Sequence, residues 1–592
     1  DRSEGSAGAV AFDTTALPGE GLALAFDVSG NSPADDAGRA LVTTASDGGA
    51  ALVAVDSGSN AFAWRLAGVI FGAILVALVY LLGATMFRDR RVAILAGAFV
   101  AFDLMSYAMS RIAMNDIFVA VFIVAAYLLF WQVWSGRWSA SAWWAMPAVG
   151  VCIGLAAASK WVGFYALAGL LVLVIGRSDL GRLLLLGGLT FGTVVAGIGA
   201  PWPFTLVLAG AALLMLALLL ARPPSVTADD LVGLLSTVVV ASGVGIVFVL
   251  AFDSVGAREP RGAVELVFGL LARGAQAGWP AIVMLVVAGL LIVARAVRTL
   301  RSRGSEVGWF LPSSLGGFGW AWVGACLIVV PLVVYGLSYL PYIALGHDFA
   351  GPDRGAGYGW SVEELHAQMF SYHFGLTSGH DAASPWWSWP LDLKPVWFYS
   401  DDFDGQQVAL IYNGGNPVLF WAGIPAIIGA AVLAWRRGSL ALALLAVAFA
   451  FQYLPWTRIE RATFQYHYLT AVVFAMVAVA CFVALGLRRV AWRELAIGFL
   501  IAAAVAGLII YPVASALPMP DWYANAMRAL PPWNFYFQFP DPPQGERGDL
   551  FAVDALKAAV GAVLAVAVVI LALALPLRGS PPRPHERVGA EP

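Results

Sequence analysis

Residues 66–84 read LAGVIFGAILVALVYLLGA, nineteen positions without a charge. A bilayer core about 30 Å thick is crossed by about 20 apolar residues in a helix, because in lipid each peptide group must be satisfied within its own segment. The same template fits repeatedly along the chain. Further spans are predicted near 92–109, 117–134, 144–159, 161–176, 183–200, 204–221, 231–252, 279–298, 318–344, 416–434, 440–455, 466–487, 495–516 and 551–576. Residues 144–176 read as two short helices broken around Ser159-Lys160-Trp161. The fold class that follows is an all-α polytopic membrane protein of about 15 transmembrane helices joined by polar loops.

Composition points the same way. Of 592 residues, 60% are hydrophobic and 12% charged, and mean hydropathy is +0.80. Soluble domains carry about 25% charged residues, so a disordered chain, a secreted disulfide scaffold and an ordinary soluble enzyme are excluded. Cys152, Cys326 and Cys481 lie inside apolar runs and read as small core residues, with neither metal spacing nor a disulfide framework. A net charge of −3 gives no reason to expect nucleic acid. Lys160, Lys394 and Lys557 are the only lysines; the rest of the 34 basic residues are arginine, which suits phosphate groups.

Basic loops set orientation, since arginine and lysine are retained on the cytoplasmic side. Arg88, Arg90 and Arg91, then Arg295, Arg298, Arg301 and Arg303, then Arg436-Arg437, then Arg488, Arg489 and Arg493 all fall on one side of the predicted spans. This places residues 1–60, 345–415 and 517–550 outside and the 578–592 tail inside, in a multi-pass protein of the plasma membrane. Residues 1–60 are polar and acidic; Gly21–Val28 has strand-like character, and a flexible loop is the alternative.

Ionisable residues at membrane depth or helix mouths are costly and so draw attention as functional candidates. Arg111 and Asp116 bracket the turn Ser110-Arg111-Ile112-Ala113-Met114-Asn115-Asp116, as a local ion pair or as walls of a polar cavity. Lys160, beside Trp161, can snorkel or hold a lipid phosphate. The 345–415 loop contains Tyr372-His373, the run Ser384-Pro385-Trp386-Trp387-Ser388-Trp389-Pro390, and His347, His366 and His380. The histidine spacing matches no closed zinc site, so no metal is assigned. The tryptophans read as an interfacial belt or as a stacking surface for sugar or lipid. Tyr453-Leu454-Pro455-Trp456, Arg458, Glu460-Arg461 and Phe464-Gln465-Tyr466-His467-Tyr468 form a last outer cluster. Arginine there runs against the topological preference and needs another explanation, of which an anionic lipid-linked substrate is one. No Walker motif or nucleophile elbow stands out.

In their order, Ala61-Phe62-Ala63-Trp64-Arg65, Ser110–Asp116, Gly154–Trp161, Tyr372-His373, Ser384–Pro390, Tyr453–Trp456, Arg461 and Tyr466-His467 resemble the protein O-mannosyltransferase family, polytopic GT-C enzymes that use a polyprenyl-phosphate sugar. The likeness covers roughly residues 60–180 and 318–510. It divides the chain into an extracytoplasmic segment 1–60, an N-terminal GT-C-like module 61–182, inserted helices 183–298, a helix with its lead-in 299–344, an outer loop 345–415, a C-terminal module 416–516, an outer loop 517–550 and a last helix with its tail 551–592.

What the resemblance implies is an inverting glycosyltransferase. It would move a sugar, with mannose implied, from a polyprenyl-phosphate donor to a protein Ser/Thr hydroxyl on the extracytoplasmic side. No cofactor is implied beyond that donor, and the partners are membrane lipid, lipid-linked sugar and an acceptor protein. Asp116 matches the family's supporting acidic residue in the second outer loop. Arg65, Arg111, Lys160, Tyr372, His373, Trp387, Trp389, Arg461 and His467 are the implied substrate-binding residues. The family's catalytic Asp-Glu pair and His-Pro-Pro motif do not occur: no histidine precedes His347 and residues 1–60 hold no Asp-Glu. No catalytic base is therefore named, and since Asp1 is not Met, the pair is expected upstream of it. The rival reading is a non-catalytic transporter or flippase-associated protein handling lipid-linked sugar, or a homologue that only binds the donor lipid.

Overall fold

The computed structural model describes residues 24–28, 38–44, 50–54, 61–138, 142–176, 179–196, 202–221, 320–349, 360–376, 379–380, 382–403, 406–459, 461–528 and 555–574. The predicted spans at 231–252 and 279–298 lie outside them. The chain divides into two compact units, Asp1–Ala67 and Gly68–Pro592.

In the first unit, β1 (Leu24–Val28), β2 (Gly38–Thr44) and β3 (Ala50–Ala54) form an antiparallel sheet in that order. Leu24 pairs with Val42 and Ala40 with Ala54. The strand-like run at Gly21–Val28 thus supplies β1.

The rest is mostly helical. In order come α1 (Ala61–Phe87), α2 (Arg90–Ala101), α3 (Leu104–Arg111), α4 (Asp116–Trp134), α5 (Ala145–Ser159), α6 (Gly163–Ile175), α7 (Asp179–Ala196) and α8 (Trp202–Ala221). Then follow α9 (Trp320–Gly324), a π-helical segment Ala325–Val329, α10 (Val330–Leu337), α11 (Leu340–Ala344) and α12 (Val362–Gly375). Strands β4 (Trp397–Phe403) and β5 (Gln407–Tyr412) precede α13 (Pro417–Arg437), α14 (Leu440–Tyr453), α15 (Leu469–Arg488) and α16 (Val490–Ser515). Strand β6 (Met519–Pro520) closes a second antiparallel sheet on β5, before α17 (Asp521–Arg528) and α18 (Ala555–Ala574).

Among the described residues, 8 helices are long and apolar enough to cross a membrane, or 9 if a bent pair counts as one. The spans carried by α4 and α15 are 72% and 78% buried, against 22–28% for those of α1, α13 and α16, so these two form the centre of the bundle. Helices α5 and α6 are short, and they separate at Lys160–Val162 as the sequence suggests.

The single span expected at 92–109 is instead bent by 56° between α2 and α3. Asp103 is fully buried in the break. Its carboxylate caps α3 by accepting from the Ser106 N–H and hydroxyl, both at 2.9 Å, and from the Asn416 N–H at 3.2 Å. Asn416 in turn caps α13 and donates its amide to the Ala503 carbonyl at 2.8 Å. A buried carboxylate must be hydrogen-bonded, and the bend is what brings those donors within reach.

Close approach of α5 to the 325–337 helix depends on two glycines four residues apart, the small-residue packing usual between membrane helices. A Cβ at Gly150 would lie 2.1 Å from the Cys326 carbonyl oxygen, and one at Gly154 would lie 2.6 Å from Val334 Cβ and 2.8 Å from the Pro331 carbonyl. Since backbone cannot yield as a side chain does, Gly154→Val is expected to destabilise the bundle by about 1–3 kcal/mol or more. A lowered melting temperature in detergent checks this; an unchanged one would contradict the packing.

Candidate functional site

Lys160 follows α5 directly, and Asp116 opens α4. The two helices pack side by side, so residues 44 apart in sequence meet: Lys160 Nζ lies 2.7 Å from Asp116 Oδ1. The turn between α3 and α4 is fixed locally, with Ala113 at φ +54° and the Asn115 amide donating to the Ser159 carbonyl at 2.9 Å. Asp116 is buried, its carboxylate at a helix N-terminus where the dipole favours negative charge. Its second oxygen, Oδ2, is buried without a hydrogen-bond partner. The Lys160 side chain keeps 23% exposure, and its ammonium sits 5.5 Å from the centre of the Tyr466 ring.

Tyr466 and His467 lie on a 3-10 turn, Gln465–Tyr468, that leads into α15. The His467 ring stacks on Trp456 at 4.3 Å, and its Nδ1 accepts from the Phe464 N–H at 3.0 Å. Arg461 is half-buried and its charge acts on His373, Tyr466 and His467. From a third direction comes α12, started by a capping box in which Ser361 and Glu364 satisfy each other's N–H. Helical spacing puts His366 and His373 on one face. His373 lies 5.8 Å from Trp161. The Trp161 indole donates to the Tyr335 hydroxyl at 2.9 Å, and that hydroxyl lies 2.8 Å from His366 Nε2.

Four separate stretches therefore bring Asp116, Lys160, His373, Arg461 and His467 to one end of the bundle. Arg111 is directed elsewhere: its guanidinium donates to the Tyr107 hydroxyl at 2.9 Å and the Ser515 carbonyl at 2.7 Å, tying α3 to the end of α16. Tyr372 is exposed beside His373. Trp387 is exposed on the turn Trp386–Ser388, whereas Trp389 is fully buried. The Trp389 indole donates to the Ser384 hydroxyl at 3.0 Å and its ring packs on Trp456, so it supports the His467 wall from behind. Arg65 is exposed near the start of α1. The four loop histidines act singly: His347 stacks on Tyr342, His366 bonds Tyr335, His373 faces Trp161 and His380 meets Phe464. Among the described residues no three His, Cys, Asp or Glu side chains group as metal ligands.

Two cations, one of them over an aromatic ring and held by a carboxylate, can bind an anion such as a phosphate. The same field acts on His373. Burial first, then Arg461 and Lys160, hold its pKa below the ordinary 6.5. Its imidazole stays neutral in the fold at pH values where the unfolded chain would take up a proton. The folded state then binds fewer protons, so stability is full above the ordinary imidazole pKa and falls as pH drops below it. The melting temperature of His373→Gln is expected to vary less between pH 7 and 5 than that of the parent; equal slopes would remove His373 from this field.

Sequence reasoning missed Tyr335 and Asp392, and it placed Gln465 in the last outer cluster without giving it a role. Asp392 follows the tryptophan run directly, which was its only signal.

Two family models match the chain: "Dolichyl-phosphate-mannose-protein mannosyltransferase" over residues 52–191 and "C-terminal four TMM region of protein-O-mannosyltransferase" over 361–533. Together they cover more than half of it. The polyprenol-phosphate-mannose–protein mannosyltransferase of Mycobacterium tuberculosis is 22% identical over 550 residues, spanning 80% of this chain and 77% of that protein. The protein of the same name from Mycolicibacterium smegmatis is 32% identical over 128 residues, 18% of this chain and 25% of that protein. Among solved structures, the Saccharomyces cerevisiae protein O-mannosyltransferase Pmt1-Pmt2 complex bound to the sugar donor is similar with a TM-score of 0.46 and 12% identity, over 80% of this chain and 81% of that one.

Proposed function

The chain belongs to the protein O-mannosyltransferase family, and on that premise we propose that its charged cluster binds the phosphate of a polyprenyl-phosphate mannose during transfer of the sugar to a protein hydroxyl. It is a multi-pass membrane glycosyltransferase. An acceptor oxygen, from Ser or Thr, attacks the sugar C1; the bond from C1 to the phosphate oxygen breaks with inversion, and the hydroxyl proton passes to a base. The leaving group is already a stable phosphate anion. The work left to these side chains is to place it and to offset its charge. Lys160 and Arg461 supply the cations, and Asp116 holds the Lys160 ammonium in place. No base is assigned.

The observation that carries this reading is the Asp116–Lys160 pair, 2.7 Å apart, beside the Arg461 guanidinium. Position supports it as well. Asp116 opens the 19-residue α4, which spans about 28 Å, and Arg137 lies just past its other end. At that other end the charge of Arg88 acts on Arg137, and Asp89 pairs with Arg488 at 2.7 Å. If this arginine-rich end faces the cytoplasm, the cluster faces outward, across the plasma membrane.

Full-length protein incubated with polyprenyl-phosphate mannose and a Ser/Thr-rich peptide should yield mannosylated peptide with inverted anomeric configuration. Donor binding without any transfer would overturn the enzymatic reading in favour of a carrier or a donor-lipid binder.

A further inference from the structure

Asp392 is fully buried and sits in the left-handed region at φ +55°. Such a backbone is strained for any residue but glycine and persists where the surroundings hold it. What holds it is the carboxylate. Oδ1 accepts from the Gly415 N–H at 3.1 Å and from the Gln465 side-chain amide. Both donors are themselves constrained. A Cβ on Gly415 would lie 2.1 Å from the Phe420 ring, so this N–H is presented by a position that admits only glycine. Gln465 is fully buried, and it is the first residue of the turn that carries Tyr466 and His467. The Asp392 N–H donates to the Trp389 carbonyl at 3.0 Å. Through its carboxylate and its N–H, one residue thus joins the tryptophan run, the entry to α13 and the turn whose Tyr466 ring lies below the Lys160 ammonium.

We propose that Asp392 is a positioning residue for donor binding, acting through Gln465 to fix the Gln465–Tyr468 turn against Lys160 and Arg461. This rests on the reading of the cluster as the donor phosphate site. A hydrogen bond to a buried charge is among the stronger ones, and losing either partner frees the turn.

The test uses full-length Asp392→Ala, Gln465→Leu, their double variant and Asp392→Asn. It reads kcat and KM for donor and acceptor separately, and polyprenyl-phosphate binding without turnover. Each of Asp392→Ala and Gln465→Leu is expected to raise the donor KM and the polyprenyl-phosphate Kd about tenfold. The double variant should be no worse than either single one, as for two ends of one contact. The acceptor KM should stay within about twofold of the parent. Asp392→Asn, whose amide oxygen can accept the same two bonds, should recover most of the donor affinity. Losses that multiply in the double variant, that fall on the acceptor KM, or that Asn does not rescue would overturn the proposal. If Asp392→Ala fails to fold, Gln465→Leu alone decides it. Absent mannosyl transfer in the parent protein would refute the transferase reading, whereas the binding series would still judge Asp392.

Discussion

Lys160→Met is expected to lose about 10²–10³-fold in mannosyl transfer, the range seen when a group that stabilises developing charge is removed. It should also lower the melting temperature. Asp116 has a 3% exposed side chain, and its Oδ2 already lacks a hydrogen-bond partner. Taking away the ammonium leaves a buried carboxylate with nothing to offset it, a change that costs about 3–5 kcal/mol when a pair is deeply buried. Because Lys160 retains 23% exposure, the stability loss should fall in the lower part of that range. The second variant separates the two effects. Asp116→Asn combined with Lys160→Met removes both charges and leaves neutral groups of similar volume. Its melting temperature should return toward that of the parent, while transfer stays low because the cation that faces the phosphate is still missing. Recovery of activity along with stability would mean that the pair is structural. Full activity in Lys160→Met alone would remove Lys160 from the phosphate site.

Asp116 and Lys160 were legible as candidates because a charge at a helix mouth in an apolar chain is costly and therefore conspicuous. Their partnership was not, since it spans 44 residues and depends on how α4 packs on α5. Sequence proximity instead suggested Arg111 for Asp116. The positive φ at Ala113 turns the chain between them, and Arg111 finds the Ser515 carbonyl 404 residues away. The spans were read from apolar runs about as long as the bilayer is thick, a one-dimensional property. The bend at Asp103 escaped the same reading because one donor that satisfies its buried carboxylate, the Asn416 N–H, lies 313 residues along the chain. The loop histidines taught the reverse lesson. Four lie within residues 347–380, yet each contacts a different aromatic side chain, so closeness in sequence did not gather them into one centre.

Arg461→Ala should raise the donor KM by about 10–100-fold, the value of one or two strong charge-assisted hydrogen bonds to a phosphate. Among the described residues Arg461 makes no ion pair, although it is half-buried beside His373, Tyr466 and His467. On the reading above, its charge faces the donor phosphate. Arg461→Lys should fall between the parent and alanine. It keeps the charge, but it cannot present the planar fork that grips two phosphate oxygens at once. His373 offers an independent readout of the same substitution. Arg461 is one of the two cations that depress its pKa, and Lys160 is the other. Removing Arg461 should let that pKa rise toward the ordinary imidazole value, so the fall in melting temperature between pH 7 and 5 should shrink in Arg461→Ala and stay near that of the parent in Arg461→Lys. An alanine variant whose donor KM and acid-side loss of melting temperature both match those of the parent would show that the guanidinium faces neither the phosphate nor His373. A smaller acid-side loss of melting temperature with an unchanged KM would keep Arg461 beside His373 and send the phosphate elsewhere.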